Sequence, residues 1–138
     1  MAEVLVVDDD ADIAELLAEV LRLEGHVVRL AANGAEGMAR LAVRRPELVL
    51  LDVEMPVLTG PQMAHRMFVR NCGDEKVSIV LLSGILQLGR VAKLVGTPYF
   101  LAKPYQLDAV LALVGRALGE RRAPLPMMPS EGARNHAG

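Results

Sequence analysis

The chain contains no tryptophan, and aromatic residues make up only 3% of its 138 residues. Its core must therefore be built from aliphatic and methionine side chains, within a hydrophobic content of 52%. That composition favours helices packed on a sheet. At this length we expect one domain, which buries roughly 68% of its unfolded surface on folding.

Three further absences narrow the classes of protein. Cys72 is the single cysteine, which excludes an intrachain disulfide. A secretory signal and an apolar run of about 18 residues are both lacking, so we expect a cytoplasmic location. The net charge of −2 gives no bulk attraction for nucleic acid or for an anionic membrane, and we expect neither as a direct partner.

Short apolar runs alternate with helical patterns along the chain. The runs predict strands over residues 4–7, 27–31, 48–51, 77–82 and 99–102. The patterns predict helices around 13–21, over 34–44, after Gly60-Pro61 and over 107–118, with a short fourth helix between Ser83 and Lys103. Parallel strands need such crossovers, so five βα units predict an α/β fold with a doubly wound parallel sheet. The expected strand order is the flavodoxin-like 2-1-3-4-5.

Four of the predicted helices each have an apolar stripe that we expect to face the core. The stripes comprise Ile13, Leu16, Leu17, Val20 and Leu21 in the first helix, Met38, Leu41 and Ala42 in the second, Met63 and Met67 in the third, and Leu107, Val110, Leu111, Val114 and Leu118 in the last. The composition changes at Gly119, after which prolines and small polar residues follow. We therefore expect one domain over 1–119 and a flexible, proline-containing tail over 120–138.

Acidic residues follow two of the predicted strands. Asp8 and Asp9 come directly after the first strand, and Asp52 comes after the third. The strand order makes these strands neighbours, and ligands bind outside the carboxyl ends of such sheets. Three carboxylates gathered there repel one another unless a cation lies between them, and oxygen ligands suit Mg²⁺. Asp10 and Asp12 are better explained as helix-start residues than as metal ligands.

Polar residues also end the fourth and fifth predicted strands. Ser83 follows Leu81-Leu82, and Lys103 follows Leu101-Ala102. Because all parallel strands end at one edge, we expect both side chains to lie near the three aspartates. A metal and a lysine together neutralise the charge that develops in phosphoryl transfer. The three histidines of the chain show no ligand spacing.

In its motifs the chain resembles the receiver domain of two-component response regulators. The motifs are Val6-Val7-Asp8-Asp9-Asp10, Leu51-Asp52-Val53-Glu54-Met55-Pro56 with Gly60 downstream, Ser83-Gly84, and Lys103-Pro104. The resemblance covers about residues 2–118. It implies that Asp52 accepts a phosphoryl group from a histidine kinase or a histidine phosphotransfer protein.

The same resemblance assigns roles to the neighbouring residues. It implies that Mg²⁺, or Mn²⁺ in its place, is held by Asp8, Asp9, Asp52 and the main-chain carbonyl of Glu54. Ser83 and Lys103 would bind phosphoryl oxygens, and the Lys103–Pro104 bond is expected to be cis.

The resemblance also implies signalling through a rotation of Phe100 and a changed surface of the fourth helix, fifth strand and fifth helix. That surface would bind an effector protein, with the chain a monomer or a phosphorylation-dependent dimer. No enzyme activity is expected beyond self-catalysed phosphorylation and dephosphorylation.

Two other functions remain open at this point. One is a constitutive interaction module whose acidic site is vestigial. The other is a haloacid-dehalogenase-like phosphatase, in which Asp8 is the nucleophile and Asp10 the second acid two residues later. The lysine, Asp52 and the small size of the chain fit that enzyme less well.

The interval from Ser83 to Lys103 is shorter than the resemblance leads us to expect, and much of it is apolar. Leu86 and Leu88 either dock a partner or fold inward. A branched Ile85 would hinder the hydrolytic water, so we expect a long-lived phosphoryl form.

Overall fold

The computed structural model describes residues 2–52, 77–84, 92 and 96–120. Its strands are β1 (Glu3–Val7), β2 (Val27–Ala31), β3 (Leu48–Asp52), β4 (Ser78–Ser83) and β5 (Phe100–Ala102). Its helices are α1 (Ala11–Leu23), α2 (Gly34–Val43) and α3 (Leu107–Glu120). The predicted strands are confirmed, with ends that differ by at most one residue.

The five strands form one parallel sheet in the order β2-β1-β3-β4-β5. The predicted strand order and the α/β fold class are therefore confirmed. β1 lies between β2 and β3, with Val7 beside Leu51 in the register. The ends of β1 and β3 are thus adjacent, which is the condition for the predicted acidic site.

Helix α1 begins at the residues that the sequence indicates. The Asp10 side chain accepts hydrogen bonds from the backbone N–H groups of Asp12 and Ile13, which helix ends otherwise leave without partners. Asp12 lies in the first turn, where its charge suits the helix dipole. The chain leaves the helix through Gly25 at φ +90°, a left-handed conformation that favours glycine. The helix-start role of Asp10 and Asp12 is confirmed.

The core has two layers, one on each face of the sheet. Helices α1 and α3 cover one face with Leu17, Leu21, Val110 and Val114, and α2 packs on the other layer through Met38 and Leu41. Strand β3 is buried along its whole length, as expected for a central strand of such a sheet.

Two predicted core residues lie at the surface instead. Leu16 is 47% exposed, and Ala42 is exposed as well. Helical spacing gives the direction of an inward stripe but not its width, and these residues lie beyond its edge. In α1 the fully inward positions are Ala14, Leu17, Ala18 and Leu21. In α2 they are Gly34, Gly37, Met38 and Leu41.

Several predictions fall outside the described residues. They are the helix after Gly60-Pro61 with Met63 and Met67, the short fourth helix apart from Ala92, Cys72, and residues 121–138. Helix α3 ends at Glu120, so Glu120 belongs to the helix and not to the predicted tail.

Candidate functional site

The carboxyl ends of three strands bring the predicted site residues to one edge of the sheet. Asp8 follows β1, and its backbone N–H donates to the carbonyl of Ala31 at 3.0 Å. Asp52 is the last residue of β3, and Lys103 directly follows β5. Strand pairing therefore fixes where each of these side chains begins, as the sequence predicts.

Asp8, Asp9 and Asp52 form a compact group of carboxylates. One oxygen from each of the three lies within 4.8 Å of the others. Asp8 and Asp52 are buried, at 4% and 5% exposure, whereas Asp9 is exposed. A hard divalent cation prefers oxygen ligands of this kind, and an exposed third ligand leaves the site open to water. The donor set thus fits Mg²⁺.

Lys103 supplies the opposing charge. Its Nζ lies 3.6 Å from Asp52 Oδ2, and the lysine side chain is 29% exposed. Burial alone would lower the pKa of the ammonium, but the attraction of Asp52 and Asp8 outweighs it, so this pKa is raised. Lys103 therefore stays charged and faces the buried carboxylates.

Burial disfavours the charged form of Asp8 in the metal-free protein. Loss of hydration, with smaller contributions from Asp52 and Asp9, raises the pKa of Asp8 to about 6. The backbone N–H of Asp10 donates to Asp8 Oδ1 at 2.9 Å and opposes part of that rise. Because the pKa of Asp8 is higher in the folded protein than in the unfolded chain, protonated Asp8 favours the folded state. This contribution to stability is fully present at pH values below the unfolded pKa and is lost as the pH rises through about 6.

Asp8→Asn is accordingly expected to stabilise the metal-free protein. In urea unfolding at about pH 8 the gain should be about 3 kcal/mol, because the charge that burial disfavours is gone. The gain should fall to near zero at about pH 3.5, where Asp8 is protonated in the folded protein and mostly protonated in the unfolded chain. Glu15→Gln, at an exposed acid of α1, is the control and should give no gain. Equal stability of Asp8→Asn and the original protein at the higher pH would contradict this.

The other predicted site residues divide between described and undescribed parts of the chain. Ser83 is the last residue of β4 and pairs in register with Ala102, next to Lys103. Gly84 lies beside Lys103 as well, since a Cβ at Gly84 would be 3.9 Å from the Lys103 Cβ. Phe100 is on β5 and is 43% exposed. Glu54, Ile85, Leu86 and Leu88 lie outside the described residues.

Tyr105, in the loop after β5, is a neighbour of the site that the sequence did not predict. The Lys103–Pro104 bond is cis, as predicted. Tyr105 follows it, half-buried, and burial raises the pKa of its phenol. Its neighbours across an apolar groove of about 310 Å³ include Ile13 and Leu16. The one sequence signal for Tyr105 was its position two residues after Lys103.

A family model provides the deciding comparison. The model for the response regulator receiver domain matches residues 4–115. The chain belongs to the response regulator receiver family. The family match and the strand order agree with the resemblance found in the motifs, and receiver domains are generally not classical enzymes.

Individual relatives support the same assignment. The response regulator MprA of Mycobacterium sp. (strain KMS) is 38% identical over 122 residues, covering 88% of this chain and 52% of MprA. The receiver domain of NtrX from Brucella abortus has a TM-score of 0.75 at 30% identity, covering 84% of this chain and 98% of that one. The chemotaxis protein CheY4 of Vibrio cholerae has a TM-score of 0.77 at 28% identity, with coverages of 85% and 98%. The chain spans about half the length of the curated relatives it matches.

The structure also bears on the alternatives. The second acid that a haloacid-dehalogenase-like phosphatase needs is Asp10, whose side chain instead caps α1. The family match does not support that enzyme. Among the described helices of this receiver domain, none has the length and apolar character to cross a bilayer.

Proposed function

We propose that this receiver domain accepts a phosphoryl group on Asp52 from a histidine kinase or a histidine phosphotransfer protein. The observation that carries the proposal is the ion pair of Lys103 with buried Asp52, beside the carboxylates of Asp8 and Asp9. Such a pair gives Asp52 a cation that can turn to an incoming phosphoryl group. A structural ion pair would not need two further acids at the same point.

Asp52 is the proposed nucleophile. One of its carboxylate oxygens forms a bond to phosphorus, and the bond from phosphorus to the donor's imidazole nitrogen breaks. The donor keeps the electron pair of that bond as neutral imidazole, after taking up or retaining a proton. Asp52 then carries an acyl phosphate. Burial of Asp52 at the end of β3 supports this role, because a fixed carboxylate needs little reorganisation before attack.

The cation site and Lys103 supply the electrostatics. Asp8, Asp9 and Asp52 would hold Mg²⁺, or Mn²⁺ in its place, with the main-chain carbonyl of Glu54 as a further proposed ligand. When bound, the cation would neutralise negative charge on the three carboxylates and on the phosphoryl oxygens. Lys103, whose raised pKa keeps it protonated, donates to a phosphoryl oxygen once Asp52 carries the acyl phosphate. Ser83 is proposed to donate from the end of β4.

The output of the switch is proposed to follow from the same contacts. Phe100 on β5 changes its rotamer, and the surface formed by the fourth predicted helix, β5 and α3 then binds an effector protein. The exposed position of Phe100 supports this, since a partner can reach it. Three further points remain predictions: a monomer or phosphorylation-dependent dimer, a flexible tail that follows Glu120, and a cytoplasmic location.

Acetyl phosphate separates this proposal from a vestigial interaction module. The purified chain, incubated with acetyl phosphate and Mg²⁺, is expected to gain the mass of one phosphoryl group. A chelator should prevent the gain, because without a cation the three carboxylates, opposed by the single ammonium of Lys103, leave a net negative charge that repels the donor. Intact mass spectrometry gives the result. A chain that gains no phosphoryl group under these conditions would be a constitutive module.

A further inference from the structure

Three side chains join the beginning of β5 to the end of α3. The hydroxyl of Tyr99 donates to Glu120 Oε1 at 2.5 Å, and Arg116 Nε donates to Glu120 Oε2 at 3.1 Å. The Arg116 guanidinium also lies 5.4 Å from the centre of the Tyr99 ring, within cation–π range. We call Tyr99, Arg116 and Glu120 the latch.

Tyr99 is the fixed part of the latch. It is fully buried within the core layer beneath α1 and α3. Its backbone N–H donates to Thr97 Oγ1 at 3.2 Å, and its carbonyl accepts from Leu81 at 3.0 Å. Arg116 and Glu120 have exposed side chains, so the latch joins a buried anchor to a helix end at the surface. Glu120 is also the last residue of α3, before Arg121-Arg122 in the sequence.

The latch and the acidic site share one very short strand. β5 contains three residues, with Tyr99 directly before it and Lys103 directly after it. An extended strand cannot lengthen along its axis, because its backbone is already close to its maximum length per residue. A displacement of Lys103 therefore moves Tyr99, unless the three residue pairs with β4 absorb it.

We propose that the latch couples the state of Asp52 to the end of α3. While Lys103 pairs with unphosphorylated Asp52, Tyr99 holds Glu120 at the start of β5. When a phosphoryl group occupies Asp52, Lys103 turns to its oxygens, β5 shifts and the hydrogen bond from Tyr99 to Glu120 weakens. The last turn of α3 then opens. This inference rests on the proposed phosphorylation of Asp52.

Linkage makes the coupling testable from both ends. If occupation of Asp52 weakens the latch, removal of the latch must strengthen binding at Asp52 by the same factor. Beryllofluoride with Mg²⁺ is a suitable probe, since it mimics a phosphoryl group on a carboxylate and binds reversibly. Trypsin cleavage after Arg116, which lies within α3 just before its last turn, reports opening of that turn when the products are identified by mass.

The experiment compares Tyr99→Phe and Glu120→Gln with the original full chain. Tyr99→Phe keeps the buried ring and removes only the hydroxyl. In the original chain beryllofluoride should accelerate this cleavage about fivefold, near the low end of typical couplings. In both variants cleavage should be fast already without the probe, and calorimetric titration should show about fivefold tighter beryllofluoride binding. Glu36→Gln is the matched control, because it breaks another exposed i,i+4 pair with arginine, in α2.

Each other outcome has a definite reading. Normal beryllofluoride binding with unchanged cleavage in the original chain overturns the coupling and leaves the proposed function intact. The same holds if the variants bind beryllofluoride as the original chain does. Absence of any binding to the original chain overturns the proposed function and the coupling together. Should Tyr99→Phe fail to fold, Glu120→Gln decides alone, because its side chain is exposed.

Discussion

Asp52→Asn is expected to abolish phosphoryl incorporation from acetyl phosphate. An amide oxygen is a far weaker nucleophile than a carboxylate, and the substitution also removes one of the three oxygens that would hold the cation. We expect the initial rate to fall by at least about 10³-fold, because loss of a nucleophile removes the reaction itself. The fold should survive, because asparagine has nearly the same volume.

The matched control for this variant is Asp12→Asn. Asp12 is an acid of the first turn of α1, close in sequence to the site but assigned to the helix start. It should lose little stability and incorporate the phosphoryl group at close to the original rate. Incorporation by Asp52→Asn at a rate like that of Asp12→Asn would mean that another acid is the acceptor.

Lys103→Met is expected to give the second largest loss. The variant keeps the length and apolar stem of the side chain but removes the ammonium, which lies 3.6 Å from Asp52 Oδ2. Removing one preorganised charge from a site where charge develops lowers rates by about 10²- to 10³-fold. The initial rate of incorporation from acetyl phosphate, followed by mass spectrometry, should fall within that range.

Lys103→Arg tests whether charge alone is sufficient. A planar guanidinium cannot replace a compact ammonium beside a buried carboxylate, so the arginine variant should recover only part of the rate. Mg²⁺ binding by both variants, measured by calorimetry, should persist, because the three carboxylates remain. A rate for Lys103→Met within about twofold of the original would show that the ion pair is structural only.

The sequence allowed prediction of the fold and much of the candidate site, for one physical reason. Each apolar run becomes a strand, and parallel strands place their last residues at a common edge. Asp8, Asp52 and Lys103 therefore needed only the strand order to be brought together. The same rule does not depend on how deeply any helix packs.

Other features depend on how deeply a helix packs on the sheet and on contacts between distant elements. The periodicity of apolar residues predicts neither. Leu16 and Ala42 fit the helical spacing, yet the sheet covers only a narrower stripe of each helix. The pair of Tyr99 with Glu120 joins residues 21 positions apart, at a strand start and a helix end. Neither residue has a motif that indicates the other. Tyr105 similarly gains its place from the turn at Pro104.

The central claim is that Asp52, surrounded by two further acids and one ammonium, is the residue that carries the phosphoryl group. Site mapping tests it most directly: the chain is phosphorylated with acetyl phosphate and Mg²⁺, then treated with borohydride, which reduces an aspartyl phosphate to homoserine. Peptide fragmentation then identifies the reduced position. The account predicts reduction at Asp52 alone, and reduction at Asp8 or Asp9, or at no aspartate, would contradict it.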